Sequence, residues 1–111
     1  MATHEGIYKA DYIGLLGAGN GGLIFLRGII SGLMIGVKIG GSFKAVADGI
    51  EADLAAEATE DFHAVTGVFV EKGTRPIGKV RLSKENFLGE PFPISIFDGE
   101  VVLRLTRLGS L

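Results

Sequence analysis

Six carboxylates lie between residues 48 and 61, and no lysine or arginine lies among them. They are Asp48, Glu51, Asp53, Glu57, Glu60 and Asp61. Carboxylate oxygens are the ligands that hard cations such as Ca²⁺ take, but this segment lacks the ordered spacing of a calcium loop. The pattern therefore predicts a solvated acidic face and not a metal site.

A second chemical pattern is formed by Gly17, Gly19 and Gly22, which match the G-x-G-x-x-G fingerprint of dinucleotide-binding units. Such a unit needs a helix directly after the glycines and an acidic residue about 20 positions further on. The following stretch carries further glycines, and no acidic residue occurs between Asp11 and Asp48. A glycine-rich turn is the better interpretation, and a nucleotide-binding enzyme is the weakest hypothesis.

Groups for nucleophilic catalysis are not evident in the sequence. His4 and His63 are far apart, and neither has the spacing of a metal-ligand pair. No Ser-His-Asp or Cys-His set can be nominated. The absence of cysteine excludes disulfides and thiolate metal sites. We therefore expect no enzyme, no cofactor and no metal.

Charge and length set further bounds. The net charge of −2 provides no general attraction to nucleic acid. The basic side chains of the C-terminal half are expected to form a solvated strand face; they are Lys79, Arg81, Arg104 and Arg107. The 111 residues suffice for one domain, or for a small domain with an N-terminal arm. No basic segment precedes the first apolar run, so we expect no secretory signal.

The apolar stretch over residues 14–46 is the segment on which the position of any site depends. It is compatible with two structures, a helix or a set of strands. As a helix it carries glycine at every fourth position, a pattern typical of closely packed membrane helices. These glycines are Gly28, Gly32, Gly36 and Gly40. A transmembrane helix over residues 13–39 would include Arg27, which costs about 2.5–3.5 kcal/mol near the bilayer centre. Each glycine adds about 1 kcal/mol relative to alanine.

As strands, the same stretch shows regular alternation. Every second residue from 33 to 39 is apolar, and Gly40 and Gly41 then have the composition of a tight hairpin turn. A three-residue loop at 40–42 pairs Ile39 with Phe43, which places the apolar side chains on one face and the lysines on the other. We prefer this reading.

The flanking segments are mostly simpler. Residues 1–12 are mixed and polar, and are expected to form an arm. Residues 50–61 fit either a short helix, which their alanines favour, or a short strand followed by a loop; we expect the helix. Residues 65–71 and 77–83 are predicted strands separated by a turn at 72–76.

Asp98-Gly99 is the strongest hairpin signal in the chain, because apolar runs flank it on both sides. A two-residue turn there pairs Ile96 with Val101 and puts Gly99 at positive φ. Gly99→Val is then expected to destabilise the protein, because a β-branched residue resists that conformation.

Two segments resemble known families. Residues 37–46, VKIGGSFKAV, resemble the V-x-V-G-G-x-W-K hairpins of bacteriophage tail-fibre and minor tail proteins, with Phe43 in place of tryptophan. Residues 65–90 resemble the start of transthyretin-like or carboxypeptidase-regulatory-like β modules. The matching positions are Gly67, Gly73, Pro76, Gly78, Val80 and Leu82. The resemblances imply a β-rich structural component of a phage tail or virion.

The sequence therefore predicts a mainly β protein with antiparallel hairpins in a small sheet or sandwich. Residues 1–30 are expected to form an arm with a glycine-rich apolar segment, and residues 31–111 a small β domain. The predicted function is non-enzymatic assembly in a virion, with copies of the chain and other structural proteins as partners and no nucleic acid. The expected interface comprises Leu23, Phe25, Ile29, Ile30, Leu33 and Ile35. The alternative is a small membrane protein with one helix over 13–39 and a soluble β domain.

Overall fold

The computed structural model describes residues 4–96 and 99–110, and this part of the chain is mainly β. Its strands are β1 (Gly6–Gly14), β2 (Gly17–Leu26), β3 (Ile29–Met34), β4 (Val37–Val46), β5 (Gly49–Ala58), β6 (Phe62–His63), β7 (Phe69–Val70), β8 (Ile77–Ser83), β9 (Phe92–Ile96) and β10 (Gly99–Gly109). One short helix, α1 (Lys84–Phe87), follows β8. The predicted fold class is confirmed.

Eight of these strands form one antiparallel sheet in the order β8-β5-β4-β3-β2-β1-β10-β9, while β6 and β7 form a separate hairpin. Strands β1 to β5 are consecutive neighbours, and β10 returns to pair with β1. The sheet curls into a nearly closed barrel with β8 and β9 as its two edges. The sheet runs without a break through the domain division predicted at residue 30, which falls inside β3.

Alternation along the strands separates the barrel interior from its outer surface. Tyr8 and Ala10 of β1 are fully buried, while Lys9 between them is exposed. Ile50 and Ala52 of β5 repeat this pattern around the half-buried Glu51. Successive side chains of a strand point to opposite faces, so every strand contributes one row to the core.

One end of the barrel is closed by α1. Ser83 caps this helix: its Oγ accepts a hydrogen bond from the Asn86 N–H at 3.2 Å, and the Asn86 Oδ1 accepts one from the Ser83 N–H at 2.9 Å. This capping box holds Phe87 over the barrel end. There the Phe87 ring meets the rings of Tyr8 and Phe25 edge-on, at 5.5 and 5.4 Å between centres.

The opposite end is covered by the β6–β7 hairpin and its turn, residues 62–70, which we call the lid. The Leu16 N–H donates a hydrogen bond to the Val65 carbonyl at 2.7 Å and so ties the lid to the β1–β2 turn. Phe62 packs over Gly36, where an added Cβ would lie 3.1 Å from its ring. The lid therefore rests on the turns at this end of the sheet.

Residues 14–46 form strands and turns, and no helix forms over 13–39. The strand expected over 33–39 is wrong, because a turn at residues 35–36 separates β3 from β4. The predicted turn at Gly40-Gly41 is also wrong, because both glycines lie inside β4, which pairs with β3 and β5 along its length. One of the actual turns is Arg27-Gly28, with φ of 52° and 77°. Positive φ at two successive residues suits a tight β-hairpin.

The helix expected over residues 50–61 is also wrong, since Gly49–Ala58 is strand β5. β5 lies between β4 and β8, so its ladder hydrogen bonds and inward side chains come from both neighbours. These tertiary contacts override the weak helix preference of its alanines.

The C-terminal hairpin forms, but its register differs from the predicted one by two residues. Ile96 faces Gly99 and Ile94 faces Val101. A two-residue shift leaves the same side chains on the inner face. The turn residues Phe97 and Asp98 lie outside the described residues. A Cβ added at Gly99 would lie only 2.5 Å from the Thr66 side chain. Gly99→Val is therefore still expected to destabilise the protein, but because of this steric contact and not because of turn geometry.

Candidate functional site

A partly open cavity of about 350 Å³ lies within the barrel. Its walls are inward side chains of the main sheet together with the lid, including Met34, Ile39, Leu54, Val80 and Ile94. Ligand cavities in proteins usually measure about 300–1,000 Å³ and have mostly apolar walls. The cavity therefore has the size and the lining of a site for a small apolar molecule.

Few polar groups reach this cavity, and three of them lie at or next to the lid. Burial raises the pKa of Tyr12, against a smaller opposing effect of its hydrogen bond with the Ile35 backbone. The Thr66 Oγ1 is buried and has no hydrogen-bond partner in the described part of the chain. His63 is exposed and packs edge-on against Phe69 at 5.0 Å between ring centres.

The cavity reaches both edge strands of the sheet. Gly78 and Val80 of β8 line it on one side, and Ile94 and Ile96 of β9 line it on the other. No ladder hydrogen bonds join these two strands. The gap between them and the lid are therefore the two candidate routes by which a small molecule could enter.

The residues predicted as an assembly interface divide into two groups. Leu23, Phe25 and Ile30 face the interior and are at most 8 % exposed. Ile29 and Leu33 face outward and Ile35 lies in the turn after β3 at the cavity rim; the three are 57–67 % exposed. Alternation along β2 and β3 causes this division for the strand residues, because adjacent residues point to opposite faces, while Ile35 is exposed in the turn that follows β3. Only the second group is available to a partner at the surface.

An outer apolar face extends beyond these three residues. Ile13 and Val102 are directly opposite each other on β1 and β10, and Leu26 is opposite Ile29. We define this face by its exposed members: Ile13, Leu15, Leu16, Ile24, Leu26, Ile29, Leu33, Ile35 and Val102. The sequence-based interface missed six of them because they lie on neighbouring strands or turns, which only the register brings together.

The acidic segment does not form an isolated acidic face. Glu51 lies between Lys44 at 3.4 Å and Arg81 at 3.1 Å, and Asp53 lies 3.7 Å from Lys79. Hydrogen bonding from Arg81, followed by that from Lys44, lowers the pKa of Glu51. The carboxylates of β5 lie beside basic side chains of its neighbours β4 and β8, so the opposite charges offset each other. Within residues 4–96 and 99–110, no group of carboxylates and histidines is arranged to hold a metal.

His4, which the sequence did not mark as a site residue, lies at the α1 end of the barrel. Its ring stacks on Phe87 at 4.5 Å, and its carbonyl accepts a hydrogen bond from the Tyr8 hydroxyl at 2.9 Å. Burial, and secondly the charge of Lys84, lowers the pKa of His4 below 6.5. Its place in the aromatic packing is that of a structural residue.

The lowered pKa of His4 predicts a pH-dependent stability. The unfolded chain takes up this proton more readily than the folded protein, so the contribution of neutral His4 is complete above pH about 6.5 and is lost as the pH falls through the folded pKa. We expect the melting temperature to fall between pH about 7.5 and about 5.5. In His4→Phe this fall should be smaller, and Lys84→Met should reduce it only in part. An equal pH dependence in His4→Phe would contradict the assignment.

The dinucleotide pattern finds no support in the geometry. Gly17, Gly19 and Gly22 lie along β2 and not in a loop that leads into a helix. A phosphate-binding fingerprint needs that loop and helix N-terminus. The role of these glycines is therefore structural: at Gly19, for example, a Cβ would overlap the Tyr12 ring.

Comparison with models of known protein families finds no match, and comparison with curated proteins finds no similar sequence. The resemblances to phage tail hairpins and transthyretin-like modules therefore stay predictions. In the described residues, no helix has the length and apolar composition needed to cross a bilayer.

Proposed function

We propose that this protein is a non-enzymatic binding protein that holds a small apolar molecule inside its barrel. The observation that carries the proposal is the 350 Å³ cavity with apolar walls. Burying apolar surface contributes about 25 cal/mol per Å², so an enclosed apolar ligand needs few polar contacts for micromolar affinity. The lid and the gap between β8 and β9 provide access.

A cavity-filling substitution tests this function. Gly78 faces the cavity, and an added Cβ there would have no heavy atom within 4 Å. Gly78→Leu should therefore leave the fold intact and occupy the binding space. We expect wild-type protein to bind the fluorescent probe phenylnaphthylamine, and the variant to bind it about tenfold more weakly or not at all.

Gly40→Leu is the matched control. Gly40 also has open space around its Cβ position, but it lies on the outer face of the sheet and does not line the cavity. Its probe affinity should equal that of the wild type. If the wild type fails to bind, or if Gly78→Leu and Gly40→Leu bind equally well, the cavity is not a ligand site.

A second function, self-association in an assembly, is supported by the outer apolar face. Monomeric proteins rarely expose contiguous apolar patches beyond a few hundred Å². The proposed contact surface is centred on Ile29, Leu33 and Ile35, and its partner is another copy of the chain. The resemblance of residues 37–46 to tail-fibre hairpins is the reason to propose a phage tail or virion as the setting.

Charge substitution on the outer face tests self-association. Leu33→Asp should shift the protein from oligomer to monomer in analytical ultracentrifugation, because an unpaired carboxylate in an apolar contact is costly. Thr106→Asp, at an exposed position on the outside of β10, should keep the oligomeric state. A wild-type protein that sediments as a monomer at all concentrations would exclude this function.

A further inference from the structure

We propose that a groove at the α1 end of the barrel is a separate binding site for a small organic acid, a carboxylate carried on a compact apolar body. This inference goes beyond the proposed function, because the groove lies at the end of the barrel opposite the lid and takes a ligand of different chemistry.

The groove lies between α1, the last part of β10 and residue His4, and it measures about 440 Å³. Two cationic side chains, Lys84 and Arg107, line it and are exposed. Leu88, which is 86 % exposed, and the half-buried His4 ring supply accessible apolar surface beside them. A molecule from solvent can therefore reach both the charged and the apolar parts of the groove.

Arg107 is the residue that we expect to bind the carboxylate. It follows the buried Leu103 and Leu105 in the inward row of β10 and lies directly opposite Tyr8 of β1. Its guanidinium lies over the Tyr8 ring, 5.9 Å from the ring centre, and its Nη2 donates a hydrogen bond to the Ser110 Oγ at 3.2 Å. These contacts orient the guanidinium, whose planar fork has further N–H donors for a carboxylate.

Lys84 adds a second positive charge to the groove. Burial, and secondly the charge of Lys84, lowers the pKa of the His4 imidazole, so the ammonium group lies close to this ring. Within residues 4–96 and 99–110, neither Lys84 nor Arg107 forms an ion pair with a carboxylate. By contrast, the basic side chains of β8 are each paired with a carboxylate of β5. The two cations of the groove are therefore available to balance the charge of a bound anion.

The acidic residues of the neighbouring segments do not fill the groove. The Glu5 carboxylate accepts a hydrogen bond from the Arg27 N–H at 2.6 Å and is thus bound to the β2–β3 turn. Glu85 and Glu90 are exposed, and the described lining of the groove contains no carboxylate. The local charge is positive although the net charge of the chain is −2. A concave site lined by positive charge attracts anions.

The apolar surface of the groove distinguishes an organic acid from an inorganic anion. An apolar body placed over Leu88 and the His4 ring would remove their exposed carbon atoms from water, which is favourable. Inorganic phosphate would leave this surface exposed. Benzoate combines a carboxylate with a compact ring, and benzamide has nearly the same shape without the charge, so the two form a matched pair of probes.

The decisive experiment titrates the protein with benzoate, benzamide and inorganic phosphate in turn and follows the NMR signals of the histidine ring protons. We expect benzoate to shift the His4 signals with a Kd of about 1 mM. Benzamide and phosphate should each bind at least about fivefold more weakly. The His63 signals, at the lid end, should not move, and phenylnaphthylamine binding should be the same with and without benzoate.

Arg107→Gln tests the assignment of the carboxylate partner and should weaken benzoate binding about tenfold or more. Arg107→Lys keeps the charge but lacks the planar fork, so it should retain only part of the affinity. Arg104→Gln is the matched control, because Arg104 is exposed on the outer row of β10, lies opposite Asp11 and does not line the groove. Its affinity for benzoate should equal that of the wild type.

Several results would overturn this inference: no benzoate binding to the wild type, benzamide or phosphate binding as tightly as benzoate, shifts of the His63 signals in place of those of His4, or equal affinities of Arg107→Gln and Arg104→Gln. Melting curves establish that each variant is folded. The proposed function is judged separately. A wild type that binds benzoate at the groove but no phenylnaphthylamine would support this site and exclude the cavity as a ligand site.

Discussion

Phe25→Ala is expected to lower the free energy of unfolding by about 3–5 kcal/mol, a large part of the stability of a domain of this size. Phe25 is 2 % exposed and is the centre of an aromatic cluster at the α1 end. Its ring meets those of Tyr8, Phe43 and Phe87 edge-on, at 5.4–5.6 Å between centres. Truncation removes these contacts and leaves a cavity that the curved sheet cannot readily close.

Urea unfolding followed by circular dichroism measures this loss. The matched control is Leu26→Ala, because Leu26 is the next residue in β2 and points to the outer surface. Its substitution should cost less than about 1 kcal/mol. Equal losses for the two variants would mean that Phe25 does not belong to the core.

Gly41→Ala is the second substitution with a large expected effect. Gly41 faces Leu54 of β5, and a Cβ at this position would overlap the Asp53 carbonyl oxygen and approach the Leu54 Cα to 3.1 Å. The obstacle is the backbone of a paired strand, which cannot rotate away as a side chain can. We expect a loss of about 1–3 kcal/mol, as is usual for overpacking.

Gly40→Ala provides the comparison within the same strand. No heavy atom lies within 4 Å of its Cβ position. Alanine there should be neutral, or should stabilise by up to about 1 kcal/mol through the reduced freedom of the unfolded chain. Thermal and urea unfolding of the two variants should therefore differ clearly. Equal destabilisation by both would restore the hairpin turn that the sequence indicated at Gly40-Gly41.

The glycine-rich stretch shows why side-chain alternation along the sequence predicted the class of the fold but not the positions of its turns. Alternation from 33 to 39 correctly indicated β structure, but the single strand it predicted is divided by the turn at residues 35–36, so Leu33 is exposed while Val37 and Ile39 are buried. The glycines were then assigned to a turn on composition. Gly41 in fact lies where two strands approach too closely for a Cβ, which depends on the curvature of the whole sheet.

The candidate site was less accessible from sequence than the fold. The cavity joins side chains from both halves of the chain, which no single segment of the sequence indicates. The residues predicted as an assembly interface included both inward-facing and exposed side chains, because a continuous apolar run does not indicate which of its side chains are buried. Ile29 and Ile30 are neighbours in sequence, yet one is exposed and the other is in the core.

By itself, the sequence determined the antiparallel β class and the hairpin near residue 98, because local alternation and turn composition suffice for these. Only the tertiary structure decided that residues 49–58 are a strand, that the Glu51 carboxylate is offset by Lys44 and Arg81, and that the inner faces enclose a cavity. These features arise from strands that are distant in sequence and become neighbours through the order of the sheet. The free energy that selects them comes from contacts across strands, which no local window of the sequence contains.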